Sequence, residues 1–165
     1  MPAKAPVLHL LCGKIASGKS TMAAVLAAAD NTVLISEDLW LDALYGDQMQ
    51  SAEDYLRYSS RLRAIMAPHV AALLGAGTSV VLDFPSNTRN QRDWMRKLVA
   101  GAGVDHQMHL LDASDDLCLK RLAERNASGS HPFVVTEEMF QQFTRHFTTP
   151  ADDEGFRVLR HPQTG

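Results

Sequence analysis

The sequence predicts an α/β fold, a parallel sheet covered by helices on both faces, and three observations lead there. Short apolar runs alternate with amphipathic stretches along most of the chain, as parallel strands joined by crossover helices require. Gly13-Lys14-Ile15-Ala16-Ser17-Gly18-Lys19-Ser20 fits the Walker A pattern GxxxxGK[ST] and lies between the apolar run Val7–Cys12 and an Ala-rich helical stretch at 20–29, the order strand, phosphate loop, helix. The length of 165 residues suits one ordinary domain, residues 1–165, built around a single core.

Taken in order, the apolar run 7–12 is the first strand, and the Ala-rich segment 19–29 is the first helix. Apolar runs then predict strands at 32–36, 79–83, 106–111 and 156–159, with period-3.6 segments between them predicting helices at 37–45, 52–74, 89–102, 115–126 and 136–147. Ser51 followed three residues later by Asp54 reads as an N-cap with an acid at N3, and Gly75 and Gly77 stop that long helix. The stretch 126–135, with Ser128, Gly129, Ser130 and Pro132, is polar and without periodicity, so it reads as a surface loop in the place of a lid. The stretches before Val7 and after Arg160 read as short mobile ends.

Composition narrows the classes. Apolar residues make up 45% and charged residues 21% of the chain, which is globular usage, and no run approaches the roughly 20 apolar residues of a membrane span. The first fourteen residues lack a secretory cleavage pattern, so a cytoplasmic location is expected. Cys12 and Cys118 belong to no metal pattern and are expected to be reduced and buried. His106 and His109, three apart on a strand, fall on opposite faces and cannot easily share a metal. A formal charge of −3 without a basic block disfavours general nucleic-acid binding. A local basic patch stays open, because Arg89, Arg92, Arg96 and Lys97 crowd one helix and Arg121 and Arg125 another. Oligomeric state is not fixed by any of this.

The phosphate loop brings consecutive backbone N–H groups, from Gly13 through Thr21, and the Lys19 ammonium to one spot at a helix N-terminus, a site for nucleotide phosphates. Lys19 is expected at the β and γ phosphates, Ser20 on Mg²⁺ and Thr21 near the α-phosphate, with Gly13 and Gly18 allowing close approach. Open parallel sheets bind ligands at the carboxyl ends of their strands, where Ser36-Glu37-Asp38 and Asp83-Phe84-Pro85 follow two of them. Asp38 is the candidate general base, with Glu37 pointing elsewhere. Asp83 suits a Mg²⁺-bound water or an acceptor hydroxyl, and the two acids could exchange roles. Arg121 and Arg125, one turn apart at the entry to the lid, are candidate clamps for charge on a transferred phosphoryl group. ATP is favoured over GTP only because no NKxD-type guanine motif is present.

These residues resemble the P-loop kinase group, an AAA-type ATP-binding domain of the small kinase kind. That group includes the kinase domains of polynucleotide 5′-hydroxyl kinases, chloramphenicol phosphotransferase and zeta-toxin-like proteins. Beyond Gly13 to Thr21, the resemblance rests on Ile35-Ser36-Glu37-Asp38, on Val81 through Thr88 followed by Arg89 and Arg92, on Arg125-Asn126, and on Phe147 through Pro150 to Glu154-Gly155-Phe156. It implies a three-layer fold with five parallel strands in the order 2-3-1-4-5 and a lid. It also implies that Asp38 deprotonates the acceptor, that Arg125 contacts ATP phosphates, that Asp83 and Asn87 lie on the acceptor side, and that the 150–156 loop borders adenine.

Two departures bear on the substrate. Polynucleotide kinases of this type have an arginine three residues after the catalytic acid, where this chain has Leu41, and their lids tend to be basic, whereas this one reads Ala127-Ser128-Gly129-Ser130-His131-Pro132. An apolar entrance walled by Trp40, Leu44, Tyr45, Tyr55 and Tyr58 suits a small acceptor. The expectation is therefore a Mg²⁺-ATP-dependent kinase acting on a small-molecule hydroxyl. A nucleic-acid 5′-hydroxyl or nucleoside or nucleotide kinase, and a nucleotide-binding switch that transfers nothing, are the alternatives.

Overall fold

Strands β1 (Val7–Cys12), β2 (Thr32–Ser36), β3 (Ser79–Asp83), β4 (Asp105–Asp112) and β5 (Val158–Pro162) form one parallel sheet in the order β2-β3-β1-β4-β5. The structure, a computed structural model, describes residues 3–129 and 134–165. Helices α1 (Lys19–Ala27), α2 (Glu37–Tyr45), α3 (Ala52–Gly75), α4 (Arg89–Ala102), α5 (Asp115–Ser128) and α6 (Glu137–Thr144) connect or follow the strands. The fold class and strand order are those expected. Ser130, His131 and Pro132 of the expected lid lie outside the described residues. No helix among the described residues is long and apolar enough to cross a membrane.

β1 is central because both its faces are apolar. Leu8, Leu10 and Cys12 join Val80, Leu82 and Met108 in a core closed by α3 and α4 residues such as Leu62, Met66 and Met95. Leu11 turns the other way, toward Val81, Leu111 and Ala23 of α1. A third cluster, Ala113, Cys118, Leu122 and Phe140, packs α5 against α6. Each fully buried Leu or Met side chain contributes roughly 1.5 to 3 kcal/mol. Cys12 and Cys118 are free and buried, as expected, and burial pushes both thiols above their ordinary pKa.

Three expectations need correction. The last strand is Val158–Pro162 rather than 156–159, because it extends along the eight-residue β4, with Met108 facing Val158 and Asp112 facing Pro162; Pro162 is tolerated on an edge strand. The end after Arg160 is held in place: the Gln163 N–H donates to Asp112 O at 2.9 Å, and Arg121 Nη2 donates to Thr164 O at 3.5 Å. The α5 helix runs two residues further than expected, to Ser128, and closes with Gly129 at φ 63°, while Asn126 Nδ2 donates to Val135 O at 2.7 Å and clasps the two ends of the expected lid together.

The basic patch on α4 does not exist as a free surface. Arg92 is 1% exposed, and all five of its N–H groups are used. Nε donates to Glu154 Oε1 at 2.8 Å and Nη2 to Glu154 Oε2 at 3.2 Å, while Thr148 and the Ser86 carbonyl take the rest at 2.7 to 3.0 Å. Arg89 pairs with Asp153 at 2.6 Å and Arg96 with Asp93. Arg89 and Arg92 therefore anchor residues 148–154 to α4, and Arg96 is paired within the helix.

Histidines gave no signal as a group in the sequence, yet three form a row across one face of β1, β4 and β5. His9 Nδ1 lies 3.1 Å from His109 Nε2, and His109 Nδ1 lies 2.9 Å from His161 Nε2. His106 is on the opposite face, as expected, where its Nε2 accepts from the Arg157 N–H. Burial, then His9 and His161, hold His109 at about 4, below the ordinary 6.5. The unfolded chain therefore binds the extra proton between these values, so this group's stabilisation is intact above about 6.5 and is lost as pH falls toward 4. Urea unfolding at pH 7 and pH 4.5 should show the wild type losing roughly 2 to 3 kcal/mol more than His109→Gln over that interval. Equal losses would show that the row does not resist protonation.

Candidate functional site

Among α1 to α6, α1 alone starts without a side-chain cap: Ser36, Ser51, Thr88, Ser114 and Thr136 cap the others, whereas α1 begins at Gly18 with φ 106° and no side-chain hydrogen bond. Its first N–H groups are thus left for a ligand. A glycine is needed there for the left-handed backbone, and Ala16 at φ 60° shares the strained turn. A β-carbon on Gly13 would collide with the Ser17 hydroxyl and crowd Leu111, so the loop closes only with glycine at its start. Ser17 Oγ is itself buried with no hydrogen-bond partner.

Lys19 Nζ donates to the carbonyls of Gly13 at 2.6 Å and Lys14 at 2.9 Å, so the ammonium lies folded within its own loop. Burial lowers its pKa, against opposing pulls that include Asp83 and Asp38. Ser20 Oγ donates to Asp83 Oδ2 at 3.1 Å. A hydroxyl beside a carboxylate at a phosphate loop is a donor set of the hard-oxygen kind that Mg²⁺ takes. Orphaned N–H groups, an ammonium and this pair together fit a Mg²⁺-nucleotide. Thr21 is exposed on the first turn of α1. Asn87, placed on the acceptor side by the resemblance, also reaches the loop, where its Oδ1 accepts from the Gly13 N–H at 3.4 Å.

Asp38 sits in the first turn of α2, set by the Ser36 side chain accepting from the Leu39 N–H. Its charge acts on both Lys19 and Arg125. Glu37 points away, as expected: it is fully buried, and its Oε1 accepts from Tyr55 Oη at 2.5 Å. Burial raises the Glu37 pKa, and it also pushes the Tyr55 phenol far above its ordinary value.

The two arginines diverge. Arg121 Nη1 donates to the Ser17 carbonyl at 3.1 Å and braces the loop from behind. Arg125 is half-buried with its Nε lacking a hydrogen-bond partner, its pKa lowered by burial and drawn back up by Asp38. Lys14, whose expected role lay in the loop backbone, sends its side chain to Asp115 at 2.6 Å.

The expected apolar entrance is only partly present. Leu41 is 0% exposed and turned into the core, so it cannot line an entrance. Tyr45 and Tyr58 stack on each other at 4.2 Å and belong to the α2–α3 packing. Trp40 and Leu44 are exposed, with Trp40 on a shallow groove shared with Ile65, Met66, Pro68 and His69. Missed in the sequence were Arg63, whose Nη2 lies 3.7 Å from Glu37 Oε2, and the Tyr55–Glu37 bond. A polar residue every fourth position, Tyr55, Ser59 and Arg63, was the available signal.

Comparison with known proteins agrees with this geometry. A family model described as an AAA domain matches residues 8–150. The chain is similar to a candidate kinase from Chloroflexus aurantiacus J-10-fl, at 21% identity and TM-score 0.73, over 98% of this chain and 87% of that one. It is also similar to a chain of the Pnkp1/Rnl/Hen1 RNA repair complex, at 23% identity and TM-score 0.68, over 86% of this chain and 43% of that one. A sugar kinase from Janibacter sp. HTCC2649 matches at 16% identity and TM-score 0.65, over 96% and 86%. No curated protein matches the chain. At these identities the likeness shows a shared P-loop kinase-like fold.

Proposed function

The chain belongs to the AAA domain family, and from that premise and the loop geometry we propose that it is a Mg²⁺-ATP-dependent kinase for a hydroxyl on a small molecule. The observation that carries this reading is a second carboxylate, Asp38, in the first turn of α2, whose charge acts on both Lys19 and Arg125, in addition to the Ser20–Asp83 pair. A nucleotide-binding switch needs the pair and the loop, whereas transfer to an alcohol needs a further base near the acceptor.

In the proposed reaction the loop N–H groups and Lys19 hold the β and γ phosphates, and Arg125 faces the charge that spreads over the transferred group. Ser20 and Asp83 would hold Mg²⁺, which when bound neutralises charge on the phosphate oxygens. Asp38 accepts the hydroxyl proton as the acceptor oxygen bonds to the γ-phosphorus. The bond from that phosphorus to the β–γ bridging oxygen breaks, and ADP leaves with its electron pair.

Similarity to a chain of an RNA repair complex favours a 5′-hydroxyl kinase as the second reading. Against it stand Arg89, Arg92 and Arg96, each already paired with an acid, and the net charge of −3. Incubation with γ-labelled Mg²⁺-ATP, a panel of small alcohols and sugars, and a 5′-hydroxyl oligonucleotide should label small molecules. Label on the oligonucleotide alone, with steep salt dependence, would replace this reading by the second, and nucleotide binding without any transfer would leave a switch.

A further inference from the structure

α3 has 24 residues, about 36 Å, and returns antiparallel to the 5-residue β3, about 17 Å. Its amino-terminal half therefore extends past the carboxyl ends of the strands, on the side where the phosphate loop opens. On that half Tyr55, Ser59 and Arg63 share one face, a polar run beside the core stripe Tyr58, Leu62, Met66, Val70 and Leu74.

Arg63 stands between the chain neighbours of both proposed acids. On one side is Glu37, adjacent to Asp38, with Nη2 3.7 Å from Oε2, beyond hydrogen-bond range. On the other, the guanidinium lies 5.7 Å from the Trp94 ring centre, and Trp94 stacks at 5.5 Å on Phe84, adjacent to Asp83. Arg63 Nε and Glu37 Oε2 are both buried without a hydrogen-bond partner. A guanidinium has five donors in a planar fork, and one held on an aromatic face by a single ion pair too long for a hydrogen bond is prepared for a planar or tetrahedral oxyanion. Contrast Arg92, where every donor is taken.

We propose that Arg63 is the acceptor-recognising group and that the hydroxyl substrate carries an oxyanion, a carboxylate or a phosphate, which binds in the fork of Arg63 between Glu37 and Trp94. The acceptor role rests on the kinase reading; the anion site itself does not. Glu37 and Trp94 hold the cation in place while the loop is empty, and the anion selects among alcohols.

The chain has two tryptophans, so Trp40→Phe leaves Trp94 as the sole indole reporter beside the site. With Mg²⁺-ADP saturating the loop, titration of this variant with glycolate and, separately, inorganic phosphate should give a saturable change in Trp94 fluorescence for one or both, which distinguishes the two anions. Adding Arg63→Gln should weaken that response at least tenfold, with cooperative unfolding and ADP affinity retained, whereas Arg63→Lys should restore part of it. No saturable response, or one that survives Arg63→Gln, overturns the assignment. Transfer from Mg²⁺-ATP to glycerate, glycerol 3-phosphate and glycerol separates the two claims. Loss of a preference for the charged members in Arg63→Gln, through KM with kcat held, supports both. Arg63-dependent anion binding without transfer sinks the kinase reading alone, and transfer to glycerol with no anion response sinks the anion site alone.

Discussion

Arg92→Ala should destabilise the fold by roughly 3 to 5 kcal/mol, read as a fall in the urea midpoint at constant m-value. The magnitude follows from what is left behind. Both side chains of the Arg92–Glu154 pair are 1% exposed, so removing the cation strands a carboxylate out of water, and it also strips the carbonyls of Ser86 and Thr148 of a donor. Burial pushes the Glu154 pKa up, but the Arg92 and Ala151 hydrogen bonds more than reverse this and hold it below the ordinary carboxylate range. That balance is lost without Arg92. Arg92→Lys keeps the charge and loses the fork, so it should recover only part of the stability.

The cost should reach the phosphate loop as well. Ser86, one Arg92 acceptor, donates its hydroxyl to Leu11 O, and the next residue, Asn87, accepts from the Gly13 N–H. A loosened 148–154 segment therefore frees the wall against which the loop is set. Arg92→Met with Glu154→Leu removes both charges together and should be less destabilised than either single change predicts by addition. A midpoint shift worth under about 1 kcal/mol for Arg92→Ala would show that the five hydrogen bonds contribute far less than their burial implies.

What could be read in advance followed local chemistry. The loop from Gly13 to Ser20 is legible because its glycines, lysine and serine are fixed by backbone strain and ligand charge at a set spacing, and strands β1 to β4 because apolar runs of that length have few alternatives. A cap such as Ser51 acts within one helical turn, so its residue type announces it. Failures came from partners far apart in sequence. Arg92 looked like surface charge because Glu154 is 62 residues away. Tyr45 and Tyr58 read as an entrance because periodicity alone does not say which residues of α2 and α3 pack on each other. The histidine row joins residues up to 100 apart, and only the strand order brings them together. The edge strand β5 starts two and ends three residues later than its own pattern suggests, because its register comes from β4.

Asp38→Asn should lower kcat for transfer about a thousandfold, within the range of 10² to 10⁴ for a lost general base, which is about 4 kcal/mol of barrier. The amide keeps the shape of the carboxylate and the first turn of α2, whose cap is Ser36 and not Asp38, so folding should be unaffected. Nucleotide affinity should hold within a few-fold, because the phosphate contacts come from the loop and Lys19, the latter with Asp83 as a stronger influence than Asp38. Asp83→Asn should differ in kind. It weakens the partner of Ser20, 3.1 Å away, and so should raise the Mg²⁺ concentration needed for half-maximal rate, with a smaller loss at saturating metal. Single-turnover rates for both variants across a Mg²⁺ titration separate the two. If Asp83→Asn abolishes transfer at every metal concentration while Asp38→Asn shifts only the metal requirement, the acids have exchanged roles; if Asp38→Asn transfers at the wild-type rate, the base lies elsewhere. The distinction has a physical root: a base must meet a proton on the acceptor, the role proposed for Asp38 in the first turn of α2, whereas a metal carboxylate must meet the hydroxyl at the start of α1, and Asp83 accepts from that hydroxyl.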